Sequence, residues 1–318
     1  PRGRTRLSPI NTIRSWLIKI PIIQRCVDLI RHLTNPAVTI DVNTNPVQQS
    51  PVEGEPLTVV SANLWHDWPR YRDLPRRLES LAGLIEDQGA QVVLLQEALR
   101  TPSLSASEWL AERLNMASGY VRANGAEKAI GFEEGPAILT NLPVREHRAL
   151  KLNTRADPLV RRMALGAQIA LECCDIWVIS AHLSFIRNEN RLQMERLQSW
   201  VNDLTGDGTA LIGGDFNAGE VSEGIHMARE HWQDTFRNLN SKDDGHTHLL
   251  RWPWGGVLRR QRLDYLFLKP GEHDWSIVDA QHFTTKPVQH SDHKAVLARI
   301  HHLPALATSP SSKRSRPG

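Results

Sequence analysis

Eight side chains able to bind a metal or move a proton sit at comparable places along this 318-residue chain. Asn63 follows the run LTVVSA, Glu97 follows VVLLQ, His182 follows IWVISA, and Asp215 and Asn217 follow ALIGG. Asp264 stands at the start of LDYLFL, and the pair Asp292 and His293 precedes AVLARI. Taken singly, each is an ordinary turn or helix-cap residue. Taken together, six run ends restricted to Asp, Glu, Asn and His are hard to attribute to turn chemistry, which would equally supply Ser, Gly and Pro. Oxygen ligands without cysteine suit a hard cation, Mg²⁺ with Mn²⁺ as the alternative, better than zinc. Beside such an ion, Asp and His can orient a water and hold a leaving oxygen, which describes metal-assisted phosphoester hydrolysis.

The runs that carry these residues have the character of buried strands. LTVVSA, VVLLQ, PAILT, ALGAQIAL, IWVISA, ALIGG, LDYLFL and AVLARI are rich in Val, Ile and Leu and bounded by polar or Gly/Pro residues. Two segments change period instead. Leu74, Leu78, Leu81 and Ile85, and then Leu197, Trp200, Val201 and Leu204, each form one apolar stripe at helical spacing. Strands outnumber helices, so the expected fold is an α/β sandwich with helices packed outside the sheets. Where neighbouring strands are antiparallel, the start of one lies beside the end of the next, and all eight residues can gather at one rim. In LIGGDFNAGE, residues 211 to 220, an extended chain would turn Asp215 and Asn217 to one side and Phe216 to the other, with the glycines allowing close approach of backbone and substrate.

Charge is unevenly spread. The net charge is +3, but residues 1–36 carry seven Arg or Lys against Asp28, and residues 301–318 carry Lys313, Arg314 and Arg316 without an acid, leaving 37–300 at −6. An acidic body suits cation-binding carboxylates and argues against a uniformly basic nucleic-acid surface. Three cysteines, two of them adjacent, make neither a disulfide framework nor a zinc motif, which favours a reducing, cytoplasmic setting. SWLIKIPIIQRCVDLI is interrupted by Lys19, Arg25 and Asp28, so it reads as a basic amphipathic helix with possible peripheral membrane contact, not as a transmembrane span or secretory signal. The expected organisation is a basic amphipathic segment at 1–36, a linker at 37–56, one catalytic domain at 57–301 and a disordered basic tail at 302–318, in a monomer.

SANLW, LLQEA, ISAHLSF, GGDFNA, RLDYLFL and HSDHKAV resemble, in order and approximate spacing, the motifs of the endonuclease/exonuclease/phosphatase superfamily, over roughly residues 57–301. That superfamily includes DNase I-like nucleases, abasic-site endonucleases, neutral sphingomyelinases and inositol polyphosphate 5-phosphatases. The resemblance implies a four-layered, DNase I-like α/β sandwich with two mostly antiparallel or mixed sheets flanked by helices. It implies that Asn63 and Glu97 anchor the metal and that Asp292 contributes through the metal shell. It further implies that Asp215 positions or deprotonates the attacking water, that Asn217 orients it, and that His293, held by Asp264, meets the scissile phosphate. His182 stands where the nuclease branch commonly has Tyr and the sphingomyelinase-like branch has His.

Substrate choice falls to the loops. Arg162, just before a central strand, is a further phosphate-binding candidate. HTHLLRWPWGGVLRRQR sets Trp252, Trp254, Arg259, Arg260 and Arg262 directly before Asp264, and Trp65, Trp68 and Tyr71 follow Asn63. Aromatics interleaved with arginines can stack on bases and neutralise phosphates, or insert among lipid head groups. The expected function is a Mg²⁺-dependent phosphodiesterase, first of all a nucleic-acid endonuclease or exonuclease leaving 5′-phosphate and 3′-hydroxyl ends. The alternative is a phosphodiesterase or phosphatase acting on a lipid, sphingomyelin or small phosphoester. A non-catalytic binding protein on the same scaffold would have no reason to keep Asp215, Asp264 and His293 together.

Overall fold

Each of the eight apolar runs forms a strand, and both apolar stripes lie on helices, Leu74–Asp87 and Arg187–Thr205. The structure, a computed structural model, describes residues 37–44, 54–67, 69–153, 160–252 and 256–303. The expectations for 1–36, for 45–53 and for the tail beyond 303 fall outside the described residues, as do Trp68 and Trp254.

Two sheets form the body. The first has nine strands, with the path Ile40–Asn43, Ala117–Val121, Glu133–Thr140, Val92–Thr101, Leu57–Asn63, Ala295–His302 and Trp275–Phe283, plus two short strands beside it. The second has six: Gln233–Asp234, Asp264–Lys269, Ala210–Asp215, Asp175–His182, Met163–Ala170 and Val144–Lys151. Strict alternation sorts their side chains. Leu57, Val59, Val92 and Leu94 of the first sheet meet Met163, Leu165, Ile176, Val178, Leu211 and Leu266 of the second in one core. Val60, Val93 and Leu95 face the other way, onto helices Leu74–Asp87 and Ala106–Leu114. Trp177, Ile179 and Ile212 pack outward on Arg187–Thr205 and Glu223–His231. The result is a four-layered α/β sandwich, helix, sheet, sheet, helix.

Most pairings are antiparallel, but Leu57–Asn63 runs parallel to Val92–Thr101 and Asp175–His182 runs parallel to Ala210–Asp215. Each parallel pair is bridged by one of the two striped helices, the crossover that parallel neighbours require. Because both partners of a parallel pair point the same way, their ends come to the same rim.

Just beneath that rim the inter-sheet core turns polar. The buried Gln96 amide donates to Ser61 Oγ at 3.3 Å in its own sheet and to Ser180 Oγ at 3.0 Å in the other, and Ser180 donates to Leu95 O at 2.7 Å. Gly213 permits the two sheets to close here: a Cβ would stand 2.6 Å from Leu266 Cδ2 and 2.7 Å from Leu94 Cδ1. At Gly214 a Cβ would lie 1.9 Å from Ala181 O. The two glycines therefore permit the close approach of strands and of sheets. Ile40–Asn43, inside the segment expected to be a linker, is an edge strand paired with Ala117–Val121.

Candidate active site

His182, Asp215 and Asp264 are cross-strand neighbours, with His182 opposite Asp215 and Asp215 opposite Asp264. All three continue the inward-facing positions of their strands, so their side chains leave the core at the rim. Asn63 reaches the same place from the first sheet: its Nδ2 donates to Asp215 Oδ2 at 3.0 Å and lies 3.4 Å from Glu97 Oε1. Alternation alone would send Glu97 outward, since Gln96 already points in. The strand bulges between Leu95 and Ala98, and Glu97 adopts φ 52°, which swings its carboxylate back beside Asn63.

Asn217 also arrives by a turn. It has φ 48°, and its N–H donates to Asp215 Oδ1 at 2.8 Å, closing an Asx-type turn rather than continuing the strand. Its amide then donates to Leu183 O at 2.9 Å and approaches His182 Nε2 at 3.1 Å. Phe216 between them is buried edge-on against Tyr265 and Phe267, which anchors the turn.

The charges around Asp215 are divided unequally. Burial pushes its carboxyl up to about 6, while the nearby His293 opposes that rise. On one side His182 Nε2 stands 3.6 Å away, and burial together with Arg162 holds this ring well below its ordinary range, hence neutral. Arg162 Nη1 lies 2.8 Å from that same nitrogen, and a guanidinium can only donate, so His182 accepts at Nε2 and carries its proton on Nδ1. On the other side His293 Nε2 stands 4.0 Å from Asp215 Oδ2, and its Nδ1 lies 2.8 Å from Asp264 Oδ2. Burial disfavours charge on His293, but the Asp264 and Asp215 carboxylates outweigh it and raise the ring to about 10. One carboxylate thus lies between a neutral and a charged imidazole.

Sequence reasoning missed several supporting groups. Thr247 Oγ1 donates to Asp264 Oδ2 at 2.6 Å and accepts from the Leu263 and Asp264 amides, which fixes the carboxylate that His293 uses. The His248 ring lies against His293, tilted by 40° with ring centroids 4.6 Å apart. Buried Glu134, pushed up by burial and by neighbouring Glu97, accepts from Asn124 Nδ2 at 2.5 Å. None of these sits at the end of a recognisable apolar run; only the Thr-His pair before the aromatic loop offered a signal.

The remaining expected residues separate. Arg162 joins the cluster through His182. Asp292 lies beside His293 and His248, accepting from Ser291 Oγ at 3.2 Å. Trp252 and Arg260 are exposed on the hairpin His248–Arg251 and Val257–Gln261, where Arg260 pairs with Asp244. Arg262 is not on the surface at all. It is buried, grips Asp234 with both terminal nitrogens at 2.8 and 2.6 Å, and donates to Glu220 at 3.0 Å.

The donor set fits a divalent ion. Glu97 and Asp215 converge on one amide, Asp215 is buried with its ionisation disfavoured, and Asp215, Asp264 and His293 offer ligand atoms within 4.8 Å of one another. A cation would offset that accumulated negative charge. Among the described residues, no helix is long and apolar enough to cross a membrane.

Residues 60–293 match the model of the Endonuclease/Exonuclease/phosphatase family. No curated protein matches the chain. Among solved structures it is similar to an endonuclease/exonuclease/phosphatase family protein from Leptotrichia buccalis, with a TM-score of 0.66 and 18% identity over 77% of this chain and 99% of the other. A second, from Beutenbergia cavernae, gives 0.62 at 20% identity over 78% of this chain and 72% of the other. TDP2 of D. rerio, complexed with a single-strand DNA product, gives 0.61 at 16% identity over 77% and 99%.

Proposed function

Because the chain belongs to the Endonuclease/Exonuclease/phosphatase family, we propose that it is a divalent-metal-dependent phosphodiesterase acting on nucleic acid. The observation that carries this reading is Asp215 between neutral His182 and charged His293. That arrangement suits an in-line attack on phosphorus: a carboxylate to hold and deprotonate a water, and a cation to meet the negative charge that develops. Asp215 takes the first role, with Asn217 orienting the same water through its amide. His293 takes the second, kept protonated and correctly turned by Asp264, while Arg162 offers a further cation to the phosphate from the His182 side. Asn63 and Glu97 would hold Mg²⁺ or Mn²⁺, with Asp292 contributing through the shell of the ion. When bound, the ion would polarise a phosphoryl oxygen and ease departure of the leaving oxygen.

Nucleic acid is favoured by the exposed Trp252, Arg259 and Arg260 of the neighbouring hairpin, which suit stacking and phosphate neutralisation. The D. rerio TDP2 structure, which holds a single-strand DNA product, supports the same choice. A second reading, a lipid head-group phosphodiester, is favoured by the exposed Leu250, Val257 and Leu258 of that hairpin. One panel separates the two: plasmid, single-stranded DNA, abasic-site duplex, and sphingomyelin or phosphoinositide vesicles, each with Mg²⁺ and with EDTA. The proposal expects cleavage of a nucleic-acid substrate to 5′-phosphate and 3′-hydroxyl ends, abolished by EDTA and restored by Mg²⁺ or Mn²⁺. Chelator-resistant turnover would overturn the metal mechanism, and turnover of vesicles alone would overturn the substrate.

A further inference from the structure

A second group of ligands lies against the His293 dyad, and one of its members, His248, was not foreseen from the sequence. His248 begins its strand in a backbone bridge with His293, and its Nε2 stands 3.7 Å from Asp292 Oδ2. One ligand atom from each of His248, Asp292 and His293 lies within 4.8 Å of the other two. Since Asp264 occupies Nδ1 of His293, Nε2 is the atom that would bind, and a metal arriving there must displace to solvent the proton that Nε2 carries in the charged ring. His248 Nδ1 is buried without a partner. Asp292 is the exposed member of the three, with Oδ1 on Ser291 Oγ and Oδ2 turned toward His248, so an ion has an open approach to it.

The composition of this cluster differs from that of the oxygen-rich position at Asn63 and Glu97. Two imidazole nitrogens and one carboxylate suit zinc and its transition-metal neighbours, whereas Mg²⁺ prefers oxygens and sheds its waters reluctantly. Three protein ligands plus water is also the usual complement of an open zinc site. With bonds of about 2.0–2.1 Å, ligand atoms of a tetrahedral zinc stand roughly 3.3 Å apart. His248 Nε2 and Asp292 Oδ2 stand 3.7 Å apart and no pair of the three exceeds 4.8 Å, so the ligands have to close by at most about 1.5 Å.

We propose that His248, Asp292 and His293 form a binding site for a zinc-like transition-metal ion whose occupation takes His293 Nε2 away from the phosphate and so inhibits the enzyme. The inhibitory half rests on the role of His293 proposed above; the binding half does not. An enzyme of this design is active with Mg²⁺ and suppressed by low zinc.

The test is calorimetric titration of ZnCl₂ into the full chain held in excess MgCl₂, for wild type, His248→Ala and His248→Asn, with phosphodiester hydrolysis followed in parallel. Wild type should bind one equivalent of zinc. Loss of supporting groups alone weakens metal sites 10–100-fold, so loss of a direct ligand should weaken zinc binding by at least roughly tenfold in both variants. The zinc concentration that halves hydrolysis should rise by the same factor. Zinc affinity unchanged in a folded variant, or displaced at parity by Mg²⁺, would overturn the site. A wild type that binds zinc but hydrolyses nothing would sink the phosphodiesterase reading and leave the zinc site standing.

Discussion

Replacing Asp264 by Asn removes a charge and almost nothing else. Asp264 Oδ2 accepts from both Thr247 Oγ1 and His293 Nδ1, while its Oδ1 is buried without a partner. An asparagine can therefore keep its carbonyl oxygen at the shared position and put its NH₂ where Oδ1 was. His293 is raised from 6.5 to about 10, a preference for the charged ring of about 5 kcal/mol. Exchanging the carboxylate for a neutral acceptor keeps this hydrogen bond but loses the charge, the larger part of what Asp264 contributes, which should lower the ring by roughly one to two units and leave Asp215 to sustain the rest. The consequence for stability has a definite sign. A folded-state value above 6.5 contributes stability that is complete below about 6.5 and lost as pH rises through about 10; in Asp264→Asn that loss should move one to two units lower and shrink in size. The assay is a pH titration of the His293 ring resonances by NMR, alongside thermal melts from pH 6 to pH 11 and hydrolysis rates, which should fall roughly 10- to 100-fold. A ring that titrates within half a unit of wild type in the variant would refute the dyad as the source of its charge.

Three further outcomes follow from the same geometry. Asp215→Asn should cut hydrolysis by roughly 10²–10⁴-fold, the usual contribution of a positioned base. It should also raise the metal-free melting temperature at neutral pH, because Asp215, raised to about 6 by burial, costs stability once pH passes from its ordinary 3.8 through that value; a lower melting temperature would contradict this. Arg262→Ala removes the buried guanidinium of an ion network in which Arg229 still holds Asp234 and Arg229 and Arg237 still hold Glu220, and should destabilise by roughly 1–3 kcal/mol, or several degrees in a calorimetric melt. Gly213→Ala should cost about 1–3 kcal/mol in denaturant unfolding by forcing Leu94 and Leu266 apart.

The layered fold was legible because apolar alternation is dictated by burial on both faces of a sheet, and the four inward rim residues Asn63, His182, Asp215 and Asp264 continue that alternation. Glu97 was found by type rather than by pattern, since only a bulge and a positive φ turn it inward. Asn217 reaches the site through a turn where an extended chain was expected. Ile40–Asn43 escaped notice because a four-residue edge strand buries too little to leave an apolar signature. Arg262 was misassigned with its surface neighbours: an arginine's sequence context says nothing about which carboxylates, Asp234 and Glu220 here, the fold will bring to it. Thr247 and His248 lie on a short hairpin without periodicity, so their contacts exist only in three dimensions.

Gln96 and its two serines bind the sheets together just below the rim, where His182, Asp215 and Asp264 stand on the second sheet and Asn63 and Glu97 on the first. Any slippage between the sheets would be transmitted directly into the spacing of Asn63 from Asp215, so this polar rivet converts cohesion of the interior into constancy of the chemistry. A floor fixed in that way leaves little freedom for the reaction to drift and much for the walls. Inherited change in what the protein cleaves then has one inexpensive route, through the aromatic loop after Asn63 and the hairpin before Asp264, while the means of cleavage stay as they are.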